Sequence, residues 1–299
     1  MSANPVTDAP YRRALVVANP VSGQGQGVKA AREVEEGLRR RGVSAELLVT
    51  QARGDAYEKL RAQGTHFDLV VAAGGDGTLR EVLEGLVDPD VPVAPLPFGT
   101  ANVLAHEIGM PRDVHRFLEI LLAKKTEALD VMKVNGRLSF LVTGIGLDGE
   151  IVRRVDENRS GPISRKTYVW PAIKTLFGFR PGKLSITLDG EPLDGTYGQC
   201  LVSNTLRYAG LFRVARDCRR DDGVFELVLF PKGSRVEIAM ALARGIVGQI
   251  AGGSVTCRRG RSVTIDCAEP VPYQVDGDFG GTTPVVIEPA PNRYRLVVP

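Results

Sequence analysis

The residues of this 299-residue chain that could do chemistry fall in three glycine-bearing stretches and a few aspartate-bearing turns. The first stretch is Gly74-Gly75-Asp76-Gly77-Thr78. It ends an apolar run, Leu69 to Ala73, and precedes Leu79, Val82, Leu83 and Leu86 at helical spacing. A strand, a glycine turn and a helix start make an anion site: glycine lets a ligand approach the main chain, and the helix start offers amides and a positive dipole end. Asp76 adds a carboxylate able to hold Mg²⁺ or orient a hydroxyl. Turning the chain alone would not need three glycines around one acid.

The loop 19–27, with Asn19, Pro20, Ser22 and Gly23, has the same strand–loop–helix setting and is read as a phosphate contact. Gly25, Gly27 and Ala30 fit a dinucleotide fingerprint, yet the next strand ends in Thr50 and not in an acid, and no Walker lysine follows. The third stretch is Pro97-Phe98-Gly99-Thr100-Ala101-Asn102. The aspartates are Asp148 in a turn after a strand, Asp221-Asp222-Gly223, and Asp276-Gly277-Asp278. Two carboxylates around a glycine suit a metal or a general base, but Asp-Gly is equally a hairpin turn; both readings stand.

The elements that must position these residues alternate in the first half. Strands are expected at 14–18, 45–49, 68–73 and 91–96, and helices at 28–41 (closed by Gly42), 55–63, 101–108 and 113–124. That alternation predicts an α/β domain with an open, mostly parallel sheet, whose carboxyl edge gathers the three loops. After Ala128 the texture is strand-rich: 128–134, 138–145, 183–188, 197–204, 224–230, 254–258, 262–267, 271–275 and 283–288, with helices near 163–178 and 235–248. Asn135-Gly136, Asp189-Gly190 and Asp222-Gly223 are hairpin signals, so an antiparallel sandwich or partly closed barrel follows. The expected domains are 11–127 and 128–299, the last strand, 294–298, being able to pair in either.

A hydrophobic fraction of 43% and a charged fraction of 24% are those of a soluble globular protein, and a net charge of +3 gives no nucleic-acid signal. No apolar run approaches the roughly 20 residues of a membrane span, and residues 1–10 lack a secretory pattern, so a cytoplasmic protein is expected. Cys200, Cys218, Cys257 and Cys267, with His66, His106 and His115, show no zinc spacing and read as reduced structural thiols. Between 153 and 183, basic residues (Arg153, Arg154, Arg165, Lys166, Lys174) accompany Tyr168, Trp170, Phe177 and Phe179. That composition suits peripheral contact with the inner membrane face, or a helix packed on the second domain with its cations in water. Homodimerisation is left open.

In order along the chain, Asn19-Pro20-x-Ser22-Gly23, Gly74 to Thr78, Pro97 to Asn102, Gly146-Leu147-Asp148, Asp221-Asp222-Gly223 and Val275 to Asp278 resemble the diacylglycerol kinase catalytic family, which includes bacterial lipid kinases and sphingosine kinases. The resemblance spans about residue 12 to residue 299. It implies an ATP- and Mg²⁺-dependent kinase acting on a membrane lipid hydroxyl, with the site in a cleft between the domains. Loop 19–23, Thr50, Gly74, Gly75, Asp76, Gly77, Thr78, Arg80 and Thr100 would contact ATP, and Asp278 the nucleotide or metal. Asp276 would be the general base. Asp222, with the carbonyls of Arg219 and Val224, would hold a structural Mg²⁺. Arg80, Asp278 and Arg216 stand where the family more often has Asn, Glu and Pro. The Gly-Gly-Asp-Gly-Thr turn is shared with NAD kinases, so an NAD or sugar-phosphate kinase is the alternative enzyme, and a catalytically silent regulatory homologue the alternative class.

Overall fold

The computed structural model describes residues 11–157, 174–176, 178–215 and 218–299. The expected helix near 163–178, with Tyr168 and Trp170, lies mostly outside these residues, as do Arg165, Lys166 and Arg216.

The chain divides into two units, one formed by residues 1–128 and 294–299 and the other by 129–293. In the first, β1 (Arg13–Ala18), β2 (Ser44–Val49), β3 (Leu69–Gly74) and β4 (Val93–Pro97) are joined through α1 (Gln26–Arg39), α2 (Asp55–Gln63) and α3 (Asp76–Gly85). Short helices α4 (Val103–Glu107) and α5 (Val114–Ala123) lead to β5 (Thr126–Leu129). With the last strand, β20 (Tyr294–Val297), the sheet order is β2-β1-β3-β4-β20-β5. Neighbours β1, β2, β3 and β4 pair in parallel, and β20 joins β4 in parallel at Leu296↔Val93. β3 is buried at every position, as a strand covered on both faces must be, which is why its sequence is a continuous apolar run and not an alternating one. Val34, Leu38, Phe117 and Leu121 pack on one face of that sheet's core with Val16, Val71 and Leu96.

The second unit holds two six-stranded sheets. One contains β6 (Met132–Val134), β7 (Arg137–Ser139), β9 (Ser185–Leu188), β10 (Glu191–Pro192), β16 (Val263–Asp266) and β19 (Val285–Pro289). The other contains β8 (Val142–Ile145), β11 (Gln199–Ser203), β14 (Phe225–Phe230), β15 (Thr256–Gly260), β17 (Pro272–Val275) and β18 (Asp278–Thr282). All their recorded pairings are antiparallel. Ile186, Ile265 and Ile287 of the first sheet share a core with Cys200, Leu227 and Val275 of the second, so the unit is a sandwich. Among the described residues the unit also carries a hairpin, β12 (Arg207–Tyr208) and β13 (Phe212–Arg213), and the helices α6 (Leu147–Glu157) and α7 (Arg235–Val247). Two expected strands split: 128–134 breaks between β5 and β6, and 138–145 breaks at Phe140-Leu141 between β7 and β8. Asp148, expected in a turn, lies in the first turn of α6.

Candidate active site

In the first unit, the three loops meet at the carboxyl ends of β1, β3 and β4. The Asn19 N–H donates to the Ala73 carbonyl at 3.2 Å, and the Phe98 and Gly99 amides both donate to the Gly74 carbonyl at 3.0 and 2.9 Å. A Cβ on Gly23 would lie 3.0 Å from the Phe98 carbonyl oxygen, so loop 19–25 rests on loop 97–102. Gly75 and Gly99 touch backbone to backbone: a Cβ on Gly99 would fall 2.3 Å from the Gly75 Cα. No side chain larger than hydrogen fits there. Gly74 serves Thr78 one turn on, where a Cβ would meet the threonine Oγ1 at 2.4 Å; the buried Thr78 packs over its own turn.

α3 starts on Gly75 with no side-chain cap, so a glycine stands where Ser, Thr or Asp would usually cover the first-turn amides. Asp76 turns its carboxylate onto the start of α4, accepting the Val103 N–H at 3.0 Å and the Leu104 N–H at 3.4 Å. Asn102, in the left-handed region, fixes the preceding turn by exchanging bonds of 2.7 and 2.8 Å with Gly99. Thr50 joins this edge, its amide donating to the Ala18 carbonyl at 2.9 Å. Asn19, Ser22, Gly23, Thr50, Gly75 and Asp76 are half-buried, and Pro20, Gly77 and Thr100 are exposed. Arg80 is buried and lines, with Arg53, Tyr57, Gly77, Glu81 and Glu84, a cavity of about 150 Å³ beside the glycine turn.

In the second unit, Asp276 and Gly277 are the two-residue connection of the β17–β18 hairpin, both at positive φ (50° and 89°). The turn reading of this motif is met, and the turn aims the carboxylate inward. Oδ1 accepts from Ser139 Oγ (2.8 Å), Leu141 N–H (3.0 Å) and Val142 N–H (3.1 Å), and Oδ2 from Phe140 N–H (3.1 Å). Four donors on one carboxylate is the pattern an ionised acid satisfies. The Asp276 amide donates back to the Val142 carbonyl at 3.0 Å, closing the contact. Asp278 forms an ion pair with Arg137 at 2.6 Å.

A second tier braces this turn. Gln274 accepts the Gly277 N–H at 2.7 Å and donates to Asp148 Oδ2 at 2.7 Å, while the Tyr208 hydroxyl donates to Asp148 Oδ1 at 2.5 Å. Burial pushes the Asp148 carboxyl above the usual carboxylate range, although the bonds from Tyr208 and Gln274 pull the other way. Burial, then the neighbouring Asp148 charge, pushes the Tyr208 phenol well above its ordinary value. Ser139, Gln274 and Tyr208 carried no sequence signal, since their partners lie at least 60 positions away apart from the Gln274–Gly277 bond.

The turn at Asp222, the expected metal turn, has its carboxylate engaged by protein partners. Its carboxylate meets the Arg259 guanidinium and accepts the Val224 N–H at 3.2 Å, while the Arg219 side chain is turned to Asp221 at 3.1 Å. Arg259 also reaches the buried Glu226 at 3.3 Å, so one guanidinium serves both acids. Among the described residues no group of three His, Cys, Asp or Glu side chains is placed to hold a metal.

Glycine loops at the carboxyl edge of a parallel sheet thus stand in one chain with an antiparallel sandwich bearing a held aspartate. Residues 13–134 match the diacylglycerol kinase catalytic domain, and residues 142–298 match the YegS C-terminal NAD kinase beta sandwich-like domain. The chain belongs to this family and is an enzyme of the lipid-kinase class. A diacylglycerol kinase of Bacillus subtilis (strain 168) is 27% identical over 91% of this chain and 92% of its own length. One of Staphylococcus carnosus (strain TM300) is also 27% identical, over 91% and 90%. The crystal structure of a diacylglycerol kinase from Bacillus anthracis str. Sterne superposes with a TM-score of 0.77 over 97% of both chains at 20% identity, a likeness of fold. Kinases of this family use ATP, typically with a divalent metal, and a lipid substrate. No helix among the described residues is long and apolar enough to cross a membrane.

Proposed function

We propose that the chain transfers the γ-phosphate of Mg–ATP to the hydroxyl of a lipid of the diacylglycerol type, with Asp276 as the proton acceptor. The observation that carries this reading is the Asp276 carboxylate, held in one orientation at a hairpin apex, in a chain whose relatives are named diacylglycerol kinases. The lipid hydroxyl is weakly acidic, so its proton passes to Asp276 as the new O–P bond forms. The bond between the γ-phosphorus and the bridging oxygen breaks, and ADP leaves with that electron pair. Such a transfer needs positioning and charge neutralisation more than covalent chemistry.

The first unit would supply the positioning through the loops at Asn19 to Gly23 and Gly74 to Thr78, the uncapped helix start being suited to phosphate. Asp76 is the only acid of the three loops and the hard oxygen donor there for a divalent ion, which when bound neutralises phosphate charge. Asp278 would act through its Arg137 ion pair. Incubating purified chain with γ-labelled ATP and a panel of detergent-dispersed diacylglycerol, phosphatidylglycerol, sphingoid base and aqueous NAD tests the reading. Label is expected in extracted phosphatidic acid. Label in NAD, or in inorganic phosphate alone, would overturn it.

A further inference from the structure

On α7, Glu237, Ile238, Ala241 and Gly245 face inward and are buried. The outward face is apolar as well: Val236, Met240, Ile246 and Val247 are 68%, 57%, 68% and 89% exposed. Ala239 and Ala243 fill the gaps between them and are also exposed. Outward apolar residues at helical spacing along nearly the whole of a 13-residue helix are unlike the scattered exposed hydrophobics of ordinary surfaces. The helix packs on the β12–β13 hairpin, where a Cβ on Gly245 would lie 3.1 Å from the Phe212 Cβ. That hairpin carries at its tip another exposed apolar residue, Leu211 at 65%.

The exposed charges carried by these two segments, 207–213 and 232–247, have one sign. Arg207 and Arg213 are exposed on the hairpin, and Lys232 and Arg235 are exposed at the start of α7. The acid of the segment 232–247, Glu237, is buried, accepting the Lys232 and Gly233 amides at 3.1 and 2.7 Å and the Ser254 hydroxyl at 2.6 Å. The segment 207–213 has no acid at all. An apolar strip with cations beside it, and no exposed acid within either segment, is complementary to an anionic bilayer surface. A second copy of the chain is a poorer occupant, because it would bring a second set of the same cations to the strip with no exposed acid from either segment to pair them.

The face is also wired to the Asp276 turn. Tyr208 at the hairpin root bonds Asp148, Asp148 bonds Gln274, and Gln274 holds the Gly277 amide. We infer that the outward face of α7 and the β12–β13 tip form the surface by which the enzyme lies on an anionic phospholipid bilayer. This deepens the lipid-kinase reading and rests on it for its purpose.

The test uses the full chain without nucleotide or lipid substrate, sedimented with vesicles of phosphatidylglycerol and phosphatidylcholine in equal parts or of phosphatidylcholine alone. Wild type is expected to bind the mixed vesicles and to bind the zwitterionic ones weakly. Replacing Val236, Met240 and Val247 together with Gln, a good helix former, should weaken binding at least ten-fold. Lys232→Gln with Arg235→Gln should weaken it by roughly ten- to thirty-fold, about five-fold per charge, and 0.5 M salt (roughly) should erase that difference. Melting curves and turnover of a short-chain dispersed lipid should stay at wild-type values, separating a docking role from misfolding. Unchanged vesicle binding in both variants, or no binding by wild type, overturns the inference. So does a wild-type dimer in sedimentation velocity that the triple variant converts to monomer. If vesicles bind as expected while no lipid is phosphorylated, the activity has failed and the docking surface stands.

Discussion

The edge of the first unit and the Asp276 turn of the second are built by opposite means. At the edge, side chains are removed: Gly75 and Gly99 meet backbone to backbone, and α3 begins without a cap. Main-chain amides, fixed by the sheet, are left as the donors of the α3 start. At the turn, side chains are added and restrained: Asp276 takes four donors, and Gln274 and Asp148 brace its neighbour. The difference suits the two tasks proposed for them. A polyanion is held by many weak dipoles with room to approach, whereas a proton acceptor needs one group in one orientation.

The comparison breaks most decisively at Asp276. Asp276→Asn should lower turnover by on the order of 10²–10⁴, the usual worth of a general base. Asn tolerates the left-handed backbone, so the turn should persist, and turnover per folded molecule is the quantity to measure. At the other region, Gly99→Ala must push the Gly75 main chain aside. Overpacking of this kind costs about 1–3 kcal/mol, seen as a loss of nucleotide affinity of roughly 5- to 150-fold in a titration.

How far these regions were readable in advance differs in the same way. The edge is built from consecutive residues, so Leu69 to Thr78 announced its strand, turn and helix directly, and the alternation around it predicted the parallel sheet. The turn draws its partners from 134 to 137 positions away, and no local pattern encodes them. Phe140 and Leu141 look like the middle of a strand because they are apolar. They leave the ladder to aim their amides at Asp276, a tertiary demand overriding propensity. Leu147-Asp148-Gly149 reads as a turn for its Asp-Gly, yet it begins α6, with Asp148 engaged by Tyr208 and Gln274. The periodicity of α7 was visible, but periodicity does not say that an apolar stripe faces outward.

Two smaller effects sharpen the contrast. Arg259→Met removes the cation shared by Asp222 and Glu226 and should lower stability by about 1 kcal/mol, a few degrees in melting temperature, since the guanidinium is half exposed. Without nucleotide, Mg²⁺ should leave the wild-type melting temperature unchanged; a rise that Asp222→Ala abolishes would restore a metal to that turn. Asp148 gives a pH signature. Its native carboxyl is raised by burial, so its contribution to stability is fully present below the ordinary carboxylate range and is lost as pH rises through the native value. Urea denaturation should therefore show wild type losing stability relative to Asp148→Asn as pH climbs from about 4, the unperturbed value for Asp.

The division of labour itself is tested most directly by nucleotide binding in the two variants side by side, using calorimetry with a non-hydrolysable ATP analogue and Mg²⁺. Asp276→Asn should bind within about two-fold of wild type, well under the 1.4 kcal/mol of a ten-fold change, while Gly99→Ala loses affinity. Weak binding by Asp276→Asn alongside intact binding by Gly99→Ala would contradict the account.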